Sequence, residues 1–177
     1  IACRKKQAST SMIPLRVSQG GSFSVGNQYS GRTFWLCASP KCVSQILKKP
    51  SLLRTQKRTA PPDITVILET LKQFLNHRAR TTLVDTQKSG LIVHGSQRIK
   101  KCSKQNISGI IFSNDVGLRT RADIIEIYNS VGSYIFPDTS IEIGRLLRRG
   151  PRSVLALHHS RKTQSLIDTL RVGCSLG

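Results

Sequence analysis

The chain has 177 residues with 28 Lys and Arg against nine Asp and Glu, a formal net charge of +19 and a pI near 10.7. That length suits one medium domain or two small ones, and the 38% hydrophobic content, spread among the basic residues, excludes a disordered basic tail. No run of about 18 apolar residues occurs, which excludes a membrane-spanning helix. The charge is uneven: the first 62 residues hold 11 of the Lys and Arg and none of the acids. A segment without acids cannot neutralise itself. Its counter-charge has to come from a partner, and nucleic acid is the usual one; a membrane surface or an acidic protein is the alternative.

In chain order, residues 12–17 are expected as a short strand, at a sheet edge because Pro14 lacks a ladder donor. Gln19-Gly20-Gly21 signals a turn, and Phe23 and Val25 alternate with Ser22, Ser24 and Gly26 as the second strand of a hairpin. Residues 33–36 form a third strand, with Trp35, the single Trp, expected in the core. Ser39 as N-cap and Pro40 at the first helical position start a helix with Val43, Ile46 and Leu47 on its apolar face, stopped by Pro50. Residues 1–49 thus read as a small α+β module. Residues 50–63, with Pro50, Pro61 and Pro62, read as a linker that ends at Asp63, the first acid.

Residues 64–177 form the second domain. Ile64, Ile67, Leu68, Leu71, Phe74 and Leu75 recur at helical spacing. A separate short helix is expected near 81–88, a strand at 91–93, a helix over 95–104 and a buried strand at 107–112. Then come a helix over 118–131, a strand at 134–136 closed by Pro137, a helix over 141–148, a strand at 154–157 and a final helix over 162–170. Strands separated by helices of about ten residues argue for a sheet covered on both faces.

The five cysteines are odd in number and argue against a disulfide scaffold. Cys3, Cys37 and Cys42 have spacing that three zinc ligands could use, but no fourth ligand is in reach, so reduced, buried thiols and no metal are expected. Side chains of the vicinal His158-His159 point to opposite faces, which suits joint metal binding poorly. No nucleophile–base motif, phosphate-cradling loop or His-Glu-x-x-His occurs, and the acids are scattered. No enzymatic activity, cofactor or small-molecule substrate is expected.

The basic groups remain. Arg4-Lys5-Lys6, Lys48-Lys49 and Lys57-Arg58 surround Phe34 and Trp35, and in the first module Arg4, Lys5, Lys6, Arg16, Arg32, Lys48 and Lys49 are expected to clamp phosphates. In the second, Gly95-Ser96-Gln97-Arg98 opens a helix whose backbone N–H groups are phosphate donors. Gln97 and Arg98 can reach base edges, and Lys101 lies one turn on.

The first module resembles the bacterial YlxR family through Cys3-Arg4, Leu15-Arg16-Val17, Gly31-Arg32, Phe34-Trp35-Leu36-Cys37 and Cys42. The second resembles YlxQ, in the kink-turn-binding ribosomal protein superfamily. The residues concerned are Ser89-Gly90-Leu91-Ile92-Val93, Gly95, Lys101, Ile110-Ile111-Phe112-Ser113-Asn114-Asp115, Arg119-Thr120-Arg121, Ile135-Phe136, Glu142-Ile143-Gly144 and Ser153-Val154-Leu155-Ala156-Leu157. The resemblance implies an α/β/α sandwich with a mixed sheet. It also implies that RNA is gripped at the Gly95 helix start and at the loop holding Arg149 and Arg152, and Arg119, Thr120 and Arg121 are expected to join them in docking structured RNA. Where that superfamily commonly has an Asn-Glu pair this chain has Gln97-Arg98, and an Arg donates where a Glu accepts. The expectation is a non-enzymatic protein that binds RNA, foremost rRNA, beside ribosomal proteins, as a ribosomal subunit protein or an assembly factor. Its compartment would be a bacterial cytoplasm or a mitochondrial matrix; the absence of Met at position 1 and the low acid count lean to a permanent ribosomal component, an imported one included. A DNA-binding nucleoid protein or transcription regulator is the alternative.

Overall fold

The computed structural model describes residues 3, 12–17, 22–26, 32–53 and 63–176, with the backbone alone at Arg32. Arg4, Lys5, Lys6, Gly31, the Arg32 side chain and residues 54–62 of the expected linker lie outside the described residues. Two compact units emerge: Ile1–His77 with Arg171–Gly177, and Arg78–Leu170. Among the described residues no helix is long and apolar enough to cross a membrane.

In the first unit, β1 (Met12–Val17), β2 (Phe23–Val25) and β3 (Arg32–Cys37) form an antiparallel sheet in the order β2-β1-β3. Ile13, Leu15 and Val17 are buried at the period of two that a half-covered strand requires. The register pairs Ile13 with Leu36 and Leu15 with Phe34 on the core face. It pairs Pro14 with Trp35 and Arg16 with Thr33 on the other. Trp35 is therefore not a core residue: it is 39% exposed, because moving it inward would need a one-residue slip that turns Leu36 and Phe34 out.

Pro14 also departs from expectation, since it lies in the central strand. The sheet accepts it because its carbonyl, and so its donor-less nitrogen, faces β2 where that strand ends. Gly26 N donates to Pro14 O at 2.9 Å, and only the reciprocal bond is lost.

Ser39 caps α1 (Pro40–Lys48), its hydroxyl accepting from Cys42 N at 3.4 Å, with Pro40 at the start of the helix. Cys42, Val43 and Ile46 point into the core, joined by Leu53 from a 3₁₀ turn, Pro50–Leu53. Asp63 then starts α2 (Ile64–Lys88), its Oδ1 accepting from Thr65 N and Thr65 Oγ1 at 2.7 Å each. These bonds hold the Asp63 carboxyl below its ordinary range. No break precedes residues 81–88: α2 is one helix, because it holds no Gly or Pro and Leu71, Leu75, Ala79 and Leu83 keep a four-residue apolar spacing. Ile67, Leu71 and Leu75 belong to the first unit's core, with Val172 and Leu176. The compact units divide inside α2, between His77 and Arg78.

The second unit is an α/β/α sandwich. Its elements are β4 (Ile92–His94), α3 (Ser96–Lys100), β5 (Ile107–Phe112), α4 (Leu118–Ile127), β6 (Ser133–Ile135), α5 (Ser140–Leu146), β7 (Val154–His158) and the part of α6 (Arg161–Cys174) that precedes Arg171. The sheet order is β4-β7-β5-β6, with β5 and β6 parallel and the other neighbours antiparallel. Both faces are covered, which is why β7 from Val154 to Leu157 and β5 from Ile110 to Phe112 read as apolar runs. Ile111 packs with Ile143, Leu166 and Ile167 on one side; Ile110 and Phe112 pack with Ile99, Ile124 and Tyr128 on the other. The helix expected over 95–104 is shorter: α3 has five residues, and a 3₁₀ turn, Lys104–Asn106, follows.

Gly144 is a point of close approach between α5 and the loop that follows it. A Cβ there would lie 2.5 Å from Gly150 O, a backbone atom that cannot swing aside. Gly144→Ala is expected to cost about 1–3 kcal/mol by overpacking, read as a lower urea midpoint.

Candidate nucleic-acid interface

The end of β4, the start of α3 and the α5–β7 loop meet around a cleft of about 490 Å³, lined by His94, Gly95, Ser96, Gln97, Arg98, Arg149 and Arg152. Gly95 makes the junction, turning strand into helix at φ 85°, where a side chain would be strained. Tyr128 Oη anchors the far end of α3 by donating to Ile99 O and to Cys102 O.

The arginine loop is held just as firmly. Thr139 and Glu142 form a capping box at the start of α5, and Asp115 accepts from Ser140 N at 2.8 Å and Ser140 Oγ at 2.9 Å. Arg152 N donates to Ser140 O and Arg149 N to Gly144 O, each at 2.8 Å. Arg148 sits at φ 53°, an uncommon conformation for a residue with a side chain. The backbone of Arg149 and Arg152 is thus fixed by bonds that leave the positions of their charges to the loop's shape.

The electrostatics of the cleft are one-sided. Among the described residues no acid lines it. Asp115 and Glu142 are engaged in capping α5, and Asp138 in an ion pair with Arg80. His94 registers the imbalance: its pKa is lowered by burial first, and then by Arg152, Arg149 and Arg98. Neither ring nitrogen of His94, nor Arg152 Nε, has a hydrogen-bond partner among the described residues. Three guanidinium groups and an unpartnered imidazole facing one cleft make a receptor for anionic oxygens.

The sign of the pH effect follows from that lowered pKa. Between the ordinary histidine value of 6.5 and the lower folded value, the unfolded chain binds more protons than the folded one. Stability contributed by neutral His94 is present above 6.5 and is lost as pH falls through the folded value. Urea midpoints of the wild type are expected to fall on that descent, and those of His94→Gln to fall less.

The expected basic residues do not all gather here. Gly95, Ser96, Gln97, Arg98, Arg149 and Arg152 do. With a length of five residues α3 contributes little helix dipole, so the arginines and not the helix start supply most of the field. Lys101, the C-cap of α3, is exposed and outside the cleft lining. Arg119, Thr120 and Arg121 form the first turn of α4, linked to α3 by Lys100 Nζ to Asp123 Oδ2 at 3.3 Å. Arg121 lies 5.9 Å from the Phe112 ring centroid, a cation–π contact that holds it to the fold.

In the first unit, Arg16 shares a sheet face with Trp35. Lys48 and Lys49 are exposed at the end of α1, where they also complement its dipole. Cys37 and Cys42 are buried, and Cys3 Sγ lies 3.3 Å from Cys37 Sγ. Burial, the Cys3 contact and nearby Cys42 push the Cys37 thiol up to about 11. Sequence reasoning passed over His94; its signal was its place directly before the Gly95 turn.

The sequence matches no protein-family model and no curated protein. Among solved structures, a Bacillus halodurans protein of unknown function is similar at 16% identity and a TM-score of 0.47, over 52% of this chain and 95% of its own. The Giardia lamblia 15.5kD RNA binding protein is similar at 13% identity and a TM-score of 0.45, over 62% of this chain and 90% of its own.

Proposed function

We propose that this protein is a non-enzymatic RNA-binding protein built from a YlxR-like first module and a kink-turn-superfamily second one. In this reading it acts on a bacterial-type ribosome or its precursors, in a bacterial cytoplasm or a mitochondrial matrix, as a subunit protein or an assembly factor. The observation that carries the reading is the acid-free cleft in which Arg98, Arg149 and Arg152 converge beside His94. Guanidinium groups bind phosphate as a planar fork, and Gln97 at the cleft rim offers both a donor and an acceptor to a base edge. The net charge of +19 supplies the long-range attraction.

Trp35 supports a contribution from the first unit. It is exposed on the sheet face that carries Arg16, and an aromatic ring beside a cation can stack an unpaired base. In this reading Arg16, Lys48 and Lys49 add phosphate contacts, as Arg4, Lys5, Lys6 and Arg32 do from outside the described residues.

The test is the salt dependence of affinity for structured RNA, with duplex DNA as competitor. If the three cleft arginines each meet a phosphate, a fourfold rise in salt costs about 30-fold in affinity. A flat salt response, or duplex DNA that binds as well as folded RNA, rejects this reading; the latter favours a nucleoid or regulatory protein. Co-sedimentation with ribosomal subunits after a high-salt wash separates a permanent component from a transient factor.

A further inference from the structure

Three cysteines that the RNA reading leaves unused converge in the first unit. Cys37 ends β3, Cys42 lies in the first turn of α1, and the Cys3 sulfur meets them from a position 34 residues before Cys37. All three Sγ atoms lie within 4.8 Å of one another, and Cys3 Sγ and Cys37 Sγ are 3.3 Å apart. In a tetrahedral zinc–thiolate centre, Zn–S bonds of about 2.3 Å put the sulfurs about 3.8 Å apart. The 3.3 Å contact and the 4.8 Å limit lie on either side of that value. The backbone between two of the ligands is already set. Ser39 N donates to Cys37 O at 2.8 Å, and Ser39 Oγ accepts from Cys42 N. A metal would therefore enter a turn that the cap alone shapes. Cys37 and Cys42 are 8% and 4% exposed and sit against Leu36, Val43 and the rest of an apolar core, where no carboxylate competes as ligand among the described residues. An all-sulfur set in such surroundings selects a soft tetrahedral ion over magnesium or calcium.

We infer that Cys3, Cys37 and Cys42 form a thiolate site for Zn²⁺, with water or a further donor in the fourth position. The ion ties Cys3 to the β3–α1 corner and so fixes the chain entering the sheet; its role is structural. This site belongs to the first unit, and it does not depend on the RNA reading.

The experiment is titration of the reduced full-length protein with Co²⁺, followed by displacement with Zn²⁺. One equivalent of Co²⁺ is expected to give a thiolate-to-cobalt charge-transfer band and the visible bands of tetrahedral cobalt, both removed by one equivalent of Zn²⁺. Cys3→Ser, which leaves the buried core untouched, is expected to abolish the tetrahedral signature, while Cys102→Ser and Cys174→Ser keep it. A Cys37→Ser variant serves as a second loss of ligand if it folds. Absence of a thiolate–cobalt band in the reduced wild type, or a band that survives Cys3→Ser, overturns the assignment.

Discussion

Replacing Arg149 and Arg152 together by Glu is expected to weaken binding of structured RNA about 100-fold while leaving the protein folded. Each charge-assisted hydrogen bond to phosphate contributes about 1.5 kcal/mol, and two such losses are about two decades in affinity. The introduced carboxylates add repulsion. Folding should survive because the loop is held by backbone bonds, Arg149 N to Gly144 O and Arg152 N to Ser140 O, which the substitution keeps. The salt slope should fall by about two phosphate equivalents, about 0.7–0.9 each. Arg161→Glu combined with Lys104→Glu, both exposed and outside the cleft lining, is the charge-matched control. It should change affinity only through net charge. Equal losses in the two variants would mean that the cleft is no more than part of a general basic surface.

Arg80→Ala is expected to destabilise the second unit by about 3 kcal/mol. Arg80 Nε and one terminal nitrogen donate to both oxygens of Asp138, at 2.6–3.2 Å, and the contact raises the Arg80 pKa. Asp138 is 3% exposed. Removing the guanidinium leaves a carboxylate inside the fold at the start of α5, next to the capping box. Because the penalty comes from the orphaned charge, Arg80→Ala combined with Asp138→Ala should recover much of the loss. Chemical denaturation of both variants checks this; a double variant no more stable than the single one would assign the effect to packing instead.

Wherever local chemistry decides, the elements could be read. Ser39-Pro40 starts α1, and the apolar runs at 107–112 and 154–157 are strands covered on both faces. Where pairing decides, they could not. Whether Trp35 or Leu36 faces inward depends on the partner of Ile13, and Pro14 is acceptable in a central strand only because β2 ends opposite it. Continuity of α2 was missed because Arg78, Arg80, Thr81 and Thr82 obscure the Ala79 and Leu83 positions that carry its apolar face onward.

The same holds for the cleft. Gly95 through Arg98 could be found from the strand–glycine–helix pattern, and Arg149 and Arg152 from their charge and the resemblance. That they share one space with His94 depends on β4 lying at the edge beside β7, which is a matter of sheet order. Lys101 and the Arg119–Arg121 turn bear the right charge but line other surfaces, since helical geometry puts them elsewhere on α3 and α4. Cys37 and Cys42 stand close together in the sequence and could be grouped from it, whereas Cys3 comes from 34 residues before Cys37 and its 3.3 Å approach is a matter of tertiary structure.

The most direct measurement is NMR titration of the His94 imidazole with and without a saturating structured RNA. Without RNA, the account predicts a midpoint below the ordinary 6.5, for burial and three facing arginines disfavour the imidazolium. With RNA, phosphate oxygens among those arginines should offset their charge and move the midpoint upward, so that affinity strengthens as pH falls. A His94 midpoint that stays where it was while the RNA is fully bound would contradict binding in this cleft.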